Sequence, residues 1–306
     1  MRVSIVVVNY NGGEFLRRCL ASTAWQDHEC ILETILVDNA SRAGDLDGLK
    51  EKFPALILIR NTENVGFARA NNQGITIARG ELVLLLNNDA ELRPGAVRGL
   101  AEMMDTNPRI GVVGPRVLNS DGSLQLSYAR FPSVIRWFAA LPTQKGVRHY
   151  EQTGYGSPHQ VEWLSCCCLL VRRQLLDELG GFDEEFFFNF EDVDLCKRAY
   201  IAGWACWYTP YAEVIHHKGI SSASPEVSER IFVEKRRSQL LYFRKHGSGA
   251  AFTVIKIVSL TYAILGVCWN FLIYAFRTTV ATSRQAFYWR LLRGIWMISR
   301  QGKTYP

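Results

Sequence analysis

The sequence lacks the cysteine spacings of a zinc site or a disulfide framework. It has eight cysteines, none in a CxxC pair, and three of them, Cys166, Cys167 and Cys168, are adjacent. Unpaired thiols of this kind are typical of a reducing compartment. The sequence also lacks a charged leader followed by an apolar segment and a cleavage site, so no secretory signal is expected.

Acidic residues are absent from the last part of the sequence. Residues 244–306 contain nine of the 35 basic residues and none of the 29 acidic ones, so the preceding part carries 26 basic against 29 acidic residues. This basic segment includes a stretch without formal charge, 257–276, which is long enough to cross a bilayer. Such charge asymmetry indicates an anionic surface as partner.

A dinucleotide-binding fingerprint is absent as well, because Gly12-Gly13 does not have the GxGxxG spacing. What the sequence has is an alternation of apolar strands and helical segments, which predicts an α/β fold with a mostly parallel sheet. The predicted strands begin at Val3, Ile31, Leu56 and Leu82, and each ends in polar residues. Ligands bind at the carboxyl ends of strands in such sheets, so this edge is the expected site.

The fourth predicted strand ends in Asn87, Asn88 and Asp89. A carboxylate flanked by amide oxygens suits a hard divalent cation that carries phosphates. A loop that caps the next helix, near Pro94, accounts for the same residues equally well. The segment alone leaves both interpretations open.

Polar residues at the ends of the other strands are candidates for binding a nucleotide. Tyr10 could stack on a base, and Asp38 or Asn39 could bind the base edge or the ribose, although ordinary packing at a strand end explains Tyr10 as well. Asn64 precedes a predicted helix start, where phosphates bind readily. The N-cap of that helix is the favoured role for Asn64.

Three carboxylates, Glu191, Asp192 and Asp194, follow a dense aromatic run. A carboxylate in an aromatic, partly desolvated pocket can work as a base, which is favoured for Asp192. Complementing a helix dipole is favoured for Asp194. His216 and His217 cannot both point the same way on a strand, so one could bind a metal while the other packs or faces water.

Seven short motifs occur in order along residues 1–246. They are Val6-Val7-Val8-Asn9-Tyr10-Asn11, Val37-Asp38-Asn39-Ala40-Ser41, Asn64-Val65-Gly66-Phe67-Ala68, Leu85-Leu86-Asn87-Asn88-Asp89, Gly181-Phe182-Asp183, Phe190-Glu191-Asp192-Val193-Asp194-Leu195 and His216-His217. Each is weak alone, but seven in this order form a specific signal. On these residues the chain resembles the family 2 glycosyltransferases, and within them the bacterial rhamnosyltransferase-like branch.

The resemblance implies a GT-A (Rossmann-like) fold, a mostly parallel sheet with flanking helices, that binds a nucleotide-diphosphate sugar and Mg²⁺ or Mn²⁺. It implies Asp89 and His216 as metal ligands, and Asp192 as the general base of an inverting transfer. Trp163 and Glu191 are expected on the acceptor side. The residues expected to bind the nucleotide sugar are Asn9, Tyr10, Asp38, Asn39, Asn64, Gly66, Asn71, Asn87 and Asn88.

Two departures from the family pattern affect these expectations. Asn87 stands where the family's DxD motif has its first carboxylate, so the metal affinity is expected to be modest. The run Cys166-Cys167-Cys168 stands where the branch often has a small glycine, and it could narrow the acceptor side. A thiol nucleophile is disfavoured because buried cysteines are usually inert packing residues.

The predicted organisation is a GT-A domain over residues 1–246 and a basic, apolar helical appendage over 247–306. Arginine and tryptophan at helical spacing in the appendage are typical of an interfacial helix. A peripheral anchor on the cytoplasmic face of the inner or plasma membrane is therefore favoured over a spanning segment. A soluble helical pair at an oligomer interface is the third alternative.

The expected function is inverting transfer of a sugar, with L-rhamnose as one candidate, to a saccharide or polyprenyl-linked saccharide in cell-surface polysaccharide synthesis. No nucleic-acid partner is expected. One alternative is a sugar nucleotidyltransferase, although Asn11-Gly12-Gly13 lacks the basic residue that its loop needs. Another is a non-catalytic sugar- or membrane-binding scaffold, although Asp89, Asp192 and His216 are all present.

Overall fold

The computed structural model describes residues 2–27, 29–136, 153–217, 225–274 and 281–300. The chain divides into two compact units. The first comprises Met1–Pro132, Arg136–Phe187 and Glu191–Ser221, and the second comprises Ser133–Ile135, Phe188–Phe190 and Ser222–Pro306. The helix that ends at His246 therefore lies in the second unit, whereas the sequence analysis puts it in the first domain. The functional boundary at residue 246 stays a prediction.

The first unit is built on strands interleaved with short helices. Its strands are β1 (Val3–Asn9), β2 (Ile31–Asp38), β3 (Ile57–Arg60), β4 (Leu82–Asn87), β5 (Ala90–Leu92), β6 (Ile110–Leu118), β7 (Leu124–Gln125), β8 (Tyr128–Ala129), β9 (His159–Val161), β10 (Trp163–Leu164), β11 (Cys168–Arg172) and β12 (Ala205–His216). Its helices are α1 (Gly13–Ala24), α2 (Leu49–Lys52), α3 (Phe67–Ile77), α4 (Ala96–Asp105), α5 (Arg173–Leu179) and α6 (Glu191–Ile201).

The main sheet has the strand order β3-β2-β1-β4-β11-β6-β12-β5, with β7 paired to β6 and β9 paired to β12. The four strands predicted from the sequence lie side by side and run parallel. Strand β11 runs antiparallel to both of its neighbours, and β12 runs parallel to β6. The predicted α/β fold with a mostly parallel sheet is confirmed.

The centre of the sheet forms the core. Every residue of β1 is buried, as are the apolar residues of β4, which is expected for central strands of a parallel sheet. Helix α3 packs so closely on β1 that a Cβ atom on Gly74 would lie 2.4 Å from Cγ1 of Val6. This register places Asn9 beside Asp38, and Val8 beside Asn87, so the polar strand ends share one edge.

A buried carboxylate ties the opposite end of the sheet together. Glu33 on β2 accepts hydrogen bonds from Ser4 Oγ at 2.7 Å and from Arg79 N at 2.7 Å, and the Arg79 guanidinium lies 2.7 Å from its other oxygen. Burial alone would raise the pKa of Glu33, but the hydrogen bonds from Ser4 and Arg79 outweigh it and hold the pKa below its usual value. The charged form of Glu33 therefore stabilises the fold.

The second unit contains three long helices among its described residues: α7 (Pro225–His246), α8 (Gly249–Tyr274) and α9 (Ala281–Arg300). Helices α8 and α9 meet at Gly266, where a Cβ atom would lie 2.0 Å from the Tyr288 ring. Phe232 on α7 packs on Phe287 of α9 with ring centroids 5.5 Å apart. The predicted appendage is thus helical, although residues 275–276 of the uncharged stretch lie outside the described residues.

We predict that Glu33→Gln lowers the free energy of unfolding at neutral pH by about 1–3 kcal/mol, because charged hydrogen bonds to a buried carboxylate are lost. Since the folded pKa is depressed, this stabilisation is complete above the pKa of the unfolded chain, near 4.5, and disappears as the pH falls through the lower folded value. Thermal unfolding of both proteins from neutral to acidic pH should therefore show a gap that narrows with acidification.

The control is Asp177→Asn, since Asp177 forms an exposed pair with Arg173 at 2.8 Å. Exposed pairs contribute roughly 0–1 kcal/mol, so this variant should unfold close to the wild type. A gap for Glu33→Gln that stays constant with pH would contradict the assignment.

Candidate active site

Asn9 lies at the end of β1, where it is buried and its amide bonds to several loops. Its Nδ2 lies 3.0 Å from Oδ1 of Asp38, 2.9 Å from Oγ of Ser41 and 2.7 Å from Oδ2 of Asp45. The same amide thus connects the end of β1 to the loop that follows β2. Asp45 also accepts a hydrogen bond from Gly13 N at 2.6 Å, at the start of α1.

The amide oxygen of Asn9 connects a third loop. It accepts hydrogen bonds from Gly12 N at 3.1 Å and from Asn88 Nδ2 at 2.8 Å. A Cβ atom on Gly12 would lie 2.4 Å from this oxygen and 2.5 Å from Asn88 Nδ2, so only glycine fits. Asn9 is predicted to bind the nucleotide sugar, but its polar atoms bond within the protein, where they hold the loops after β1, β2 and β4 together.

Asn39, which follows β2, also holds a neighbouring loop through its side-chain amide. Its Nδ2 donates to Asn64 Oδ1 at 2.9 Å and to Gly66 O at 3.2 Å. Its Oδ1 accepts from Asn61 Nδ2 at 3.1 Å and from Val65 N at 3.0 Å. Asn39 therefore shapes the loop that leads into α3.

The favoured role of Asn64 as an N-cap is wrong. Gly66 occupies the N-cap of α3, with φ of 91°, and the helix has no side-chain cap. Asn64 Oδ1 instead accepts from Gly66 N at 3.0 Å. A Cβ atom on Gly66 would lie 2.8 Å from the Phe187 ring, and Phe67 N donates to Phe187 O at 2.8 Å, so the loop before α6 docks here. Asn71 is buried within α3 and donates to Phe67 O at 2.9 Å.

Tyr10 is the accessible member of the strand-end group. Its side chain is 45% exposed. The following Asn11 and the residue Ala40 on the next loop both have left-handed backbones, with φ of 55° and 65°. The exposure of Tyr10 leaves its ring accessible to a flat ligand. Asp38 is buried beside it and accepts from Ser41 N at 3.3 Å.

Asp89 and His216 meet at the same edge of the sheet. Asp89 Oδ1 lies 3.2 Å from His216 Nε2, and the side chains are only 18% and 11% exposed. Asn87 Nδ2 lies 3.4 Å from the same nitrogen, while Asn87 Oδ1 is buried without a hydrogen-bond partner. A carboxylate oxygen and an imidazole nitrogen at this distance form a donor pair that fits a divalent cation.

Two protein ligands are fewer than a dedicated metal cage provides. Within the residues that the structure describes, no cluster of three or more His, Cys, Asp or Glu side chains could hold a metal. Magnesium sites commonly use one or two carboxylates together with substrate phosphates and water. The pair Asp89 and His216 therefore fits a cation that is shared with a phosphate-bearing ligand.

His217 faces other partners, as the alternation of side chains predicts. Its Nε2 lies 2.6 Å from Glu91 Oε1, its Nδ1 lies 2.7 Å from Ser120 Oγ, and its ring packs on Phe15 with centroids 5.2 Å apart. Arg18 pairs with the same Glu91 oxygen at 2.7 Å. His217 thus packs, and His216 is the histidine that faces Asp89.

Asp192 lies in the first turn of α6 and is 2% exposed. Its Oδ2 accepts from Cys166 N at 3.3 Å, and its Oδ1 accepts from Val193 N at 2.9 Å. The neighbouring Cys167 O accepts from Asn87 N at 3.0 Å. The backbone at residues 166–167 therefore connects the Asp192 carboxylate to the segment that carries Asp89.

The adjacent cysteines act as buried packing residues. Burial, with the charges of Asp192 and Glu191, raises the pKa of Cys166. Burial, with the charges of Asp89 and Glu91, also raises the pKa of Cys19. These thiols stay protonated at neutral pH, which agrees with the expectation that none of them is a nucleophile.

The two residues expected on the acceptor side, Trp163 and Glu191, are both buried. Trp163 is fully buried and donates from Nε1 to Arg130 O at 2.9 Å. Glu191 is 5% exposed in the first turn of α6. Their roles in binding an acceptor stay predictions. The hydrogen bond of Trp163 holds the segment that contains Arg130.

Three side chains that organise the site were missed by the sequence analysis: Asp45, Asn72 and Gln125. Asn72 on α3 clamps the loop before α6, since it accepts from Phe182 N and donates to Phe182 O, both at 2.8 Å. Gln125 lies 2.7 Å from His216 Nδ1. The doubled amide Asn71-Asn72 in a helix was a usable signal, whereas nothing local marks Asp45 or Gln125.

Comparison with known proteins identifies the protein family in which this site occurs. The family model described as "Glycosyl transferase family 2" matches residues 4–180. The N-acetylglucosaminyl-diphospho-decaprenol L-rhamnosyltransferase of Mycobacterium tuberculosis is 35% identical over 244 residues, which cover 73% of this chain and 78% of that protein.

Two solved structures share the fold. GalNAc-T7, crystallised with UDP, GalNAc and Mn²⁺, matches with a TM-score of 0.60 at 15% identity, over 79% of this chain and 52% of that one. The mannosyltransferase PcManGT from Pyrobaculum calidifontis, in complex with GDP-Man and Mn²⁺, matches with a TM-score of 0.58 at 17% identity, over 97% of this chain and 85% of that one. The predicted GT-A fold is confirmed.

We predict that Gly12→Ala lowers the free energy of unfolding by about 1–3 kcal/mol, because the new methyl group overlaps the hydrogen bond between Asn9 and Asn88. The backbone of Gly12 has φ of −75°, which alanine adopts freely, so the effect comes from overpacking alone. Denaturant unfolding measures it. The matched control is Gly156→Ala, where a Cβ atom meets nothing within 4 Å. Equal stabilities for the two variants would contradict the role of Asn9 in holding the three loops together.

Proposed function

The chain belongs to glycosyl transferase family 2, and on that premise we propose that it transfers a sugar from a nucleotide-diphosphate donor to a lipid-linked saccharide, with inversion, in cell-surface polysaccharide synthesis. L-Rhamnose is the proposed sugar, because the mycobacterial relative with 35% identity is named as an L-rhamnosyltransferase acting on a lipid-diphosphate N-acetylglucosamine. The observation that carries the proposal is the meeting of Asp89 and His216 at the carboxyl edge of the sheet.

Asp89 and His216 would hold a divalent cation, Mg²⁺ or Mn²⁺. The ion supplies positive charge that stabilises the departing nucleoside diphosphate. Both solved structures with the same fold carry Mn²⁺ with a nucleotide or nucleotide sugar, which supports this choice of ion.

Asp192 acts as the general base. The acceptor hydroxyl gives its proton to the Asp192 carboxylate while its oxygen bonds to the anomeric carbon. The bond from that carbon to the diphosphate breaks on the opposite face, and the electron pair leaves on the diphosphate, so the configuration inverts. The hydrogen bonds from Cys166 N and Val193 N fix the direction of the carboxylate.

Tyr10 and Asp38 bind the nucleoside. Tyr10 is the exposed aromatic ring at the strand ends, so it suits stacking on the base. Asp38 lies next to it, where its carboxylate can accept from a base edge or a ribose hydroxyl. Asn9 donates to Asp38 and holds that carboxylate in place.

The second unit associates with a membrane surface. Helix α8 contains one segment long and apolar enough to cross a bilayer, Gly249–Trp269, with a mean hydropathy of 1.9. Its apolar side chains are largely exposed, including Leu265 at 62% and Trp269 at 65%. Helix α9 adds the exposed Trp289 beside Arg290. Exposed apolar and aromatic residues with basic neighbours fit a peripheral anchor on an anionic leaflet.

We predict that Asp192→Asn lowers kcat by about 10²–10⁴-fold, because the amide cannot accept the hydroxyl proton. The assay follows sugar transfer to a lipid-diphosphate N-acetylglucosamine acceptor with dTDP-, UDP- and GDP-linked donors, and calorimetry measures donor affinity, which should not change. Asp177→Asn on the exposed face of α5 is the control for the same chemical change. Full turnover by Asp192→Asn would exclude it as the base, and no transfer by the wild type from any donor would exclude the proposed activity.

We predict that Trp269→Ser weakens binding to vesicles that contain anionic phospholipid, because an exposed indole is lost from the apolar face of α8. Co-sedimentation with such vesicles and with neutral vesicles measures the effect. The matched control is Trp25→Ser, since Trp25 is also exposed, at 75%, but lies in the first unit. Equal losses in both variants, or wild-type protein that stays in the supernatant, would contradict peripheral binding through the second unit.

A further inference from the structure

Gln125 is a buried amide with a fixed orientation. Its Nε2 donates to Asn119 Oδ1 at 2.8 Å and to the main-chain oxygen of His216 at 3.2 Å. A main-chain carbonyl can only accept a hydrogen bond, so exchanging the two ends of the amide would set oxygen against oxygen. The Oε1 atom is therefore the one that lies 2.7 Å from His216 Nδ1.

The position of Gln125 Oε1 selects the proton arrangement of His216. An amide oxygen can only accept, so the nitrogen that faces it, Nδ1, must carry the hydrogen. A neutral imidazole has one N–H, which leaves a lone pair on Nε2. The geometry on the other side agrees, because Asn87 Nδ2, a donor, lies 3.4 Å from Nε2.

The other tautomer, with the hydrogen on Nε2, would leave no lone pair there for a cation. With the hydrogen on Nε2, His216 would donate to the Asp89 carboxylate across the 3.2 Å that separates them. Hydrogen bonds to carboxylates are among the stronger ones in proteins, so this tautomer would satisfy Asp89 and remove the Nε2 lone pair that a cation needs, although its Nδ1 lone pair would face Gln125 Oε1. With the hydrogen on Nδ1, two electron-pair donors face each other, and a cation between them relieves the repulsion.

We propose that Gln125 is a positioning residue that holds His216 in the Nδ1–H tautomer and so keeps Nε2 and Asp89 open to a divalent cation. The identity of the ion rests on the proposed function, whereas the tautomer rests on the hydrogen bonds of the protein alone. Partners of this kind, which bond the second nitrogen of a ligating histidine, typically change metal affinity by about 10–100-fold.

The decisive experiment reads the tautomer in metal-free, full-length protein. Nitrogen-15 NMR of the histidine rings distinguishes protonated from unprotonated nitrogens, and the spectrum of His216→Gln identifies the signals of His216. We expect protonated Nδ1 and unprotonated Nε2 in the wild type, and the reverse in Gln125→Met. A wild-type ring protonated on Nε2, alone or together with Nδ1, would overturn the proposal.

The second measurement is Mn²⁺ affinity, read by electron paramagnetic resonance with Mn²⁺ as the only added ligand. Gln125→Met should weaken binding by about 10–100-fold. Equal affinity in Gln125→Met and the wild type would overturn the proposal.

The matched control is Gln26→Met. Gln26 is also a buried amide with three hydrogen bonds, to Ser22 O, Arg93 O and Val97 N, and none of them involves His216. The Gln26→Met variant should have a lower melting temperature than the wild type, but the same His216 tautomer and the same Mn²⁺ affinity. If Gln26→Met changed both as Gln125→Met does, the effect would be general loosening. A wild type with the expected tautomer that binds no Mn²⁺ would overturn the metal assignment of the proposed function and leave the tautomer role of Gln125 standing.

Discussion

The hydrogen bonds of the Asn9 amide are the constraint on which the rest of the site depends. A side-chain amide can donate from its nitrogen and accept at its oxygen at the same time, without carrying a charge. Asn9 donates toward the loop after β2 and accepts from Gly12 and Asn88. Because it is buried, each lost bond would leave a polar atom unsatisfied. The loops that carry Tyr10, Asp38 and Asp89 are therefore fixed relative to one another before any ligand binds.

Within that frame, neutral and ionisable side chains have different tasks. The amides Asn9, Asn39 and Asn72 do not themselves ionise, and they bond within the protein. The ionisable groups Asp89 and His216 meet each other at the edge of the sheet. Gln125 belongs to the first group by chemistry, but it acts on the second, because its amide oxygen determines which imidazole nitrogen carries the hydrogen.

The sequence predicts where polar residues gather but not which way they face. Apolar runs that end in amides and carboxylates correctly indicate parallel strands with a shared polar edge, and β1, β2 and β4 have that arrangement. The same pattern does not distinguish an amide that faces a ligand from one that faces another loop, and the amides of Asn9 and Asn39 bond within the protein. Gln125 is 91 residues from His216 in sequence, and only the pairing of β7 and β12 with β6 brings them together.

The small number of protein ligands has a consequence for how donor and cation bind. In the proposed site Asp89 and His216 would fill two positions of a six-coordinate ion, and a diphosphate and water could supply the other four. The ion would then bind more tightly once the diphosphate is present, and the diphosphate more tightly once the ion is present, because two linked affinities are reciprocal. Asn87 would strengthen this dependence, since it brings no negative charge to the ion. Loss of the nucleoside diphosphate after transfer would in turn weaken the binding of the ion, and the site would return to the pair that Gln125 maintains.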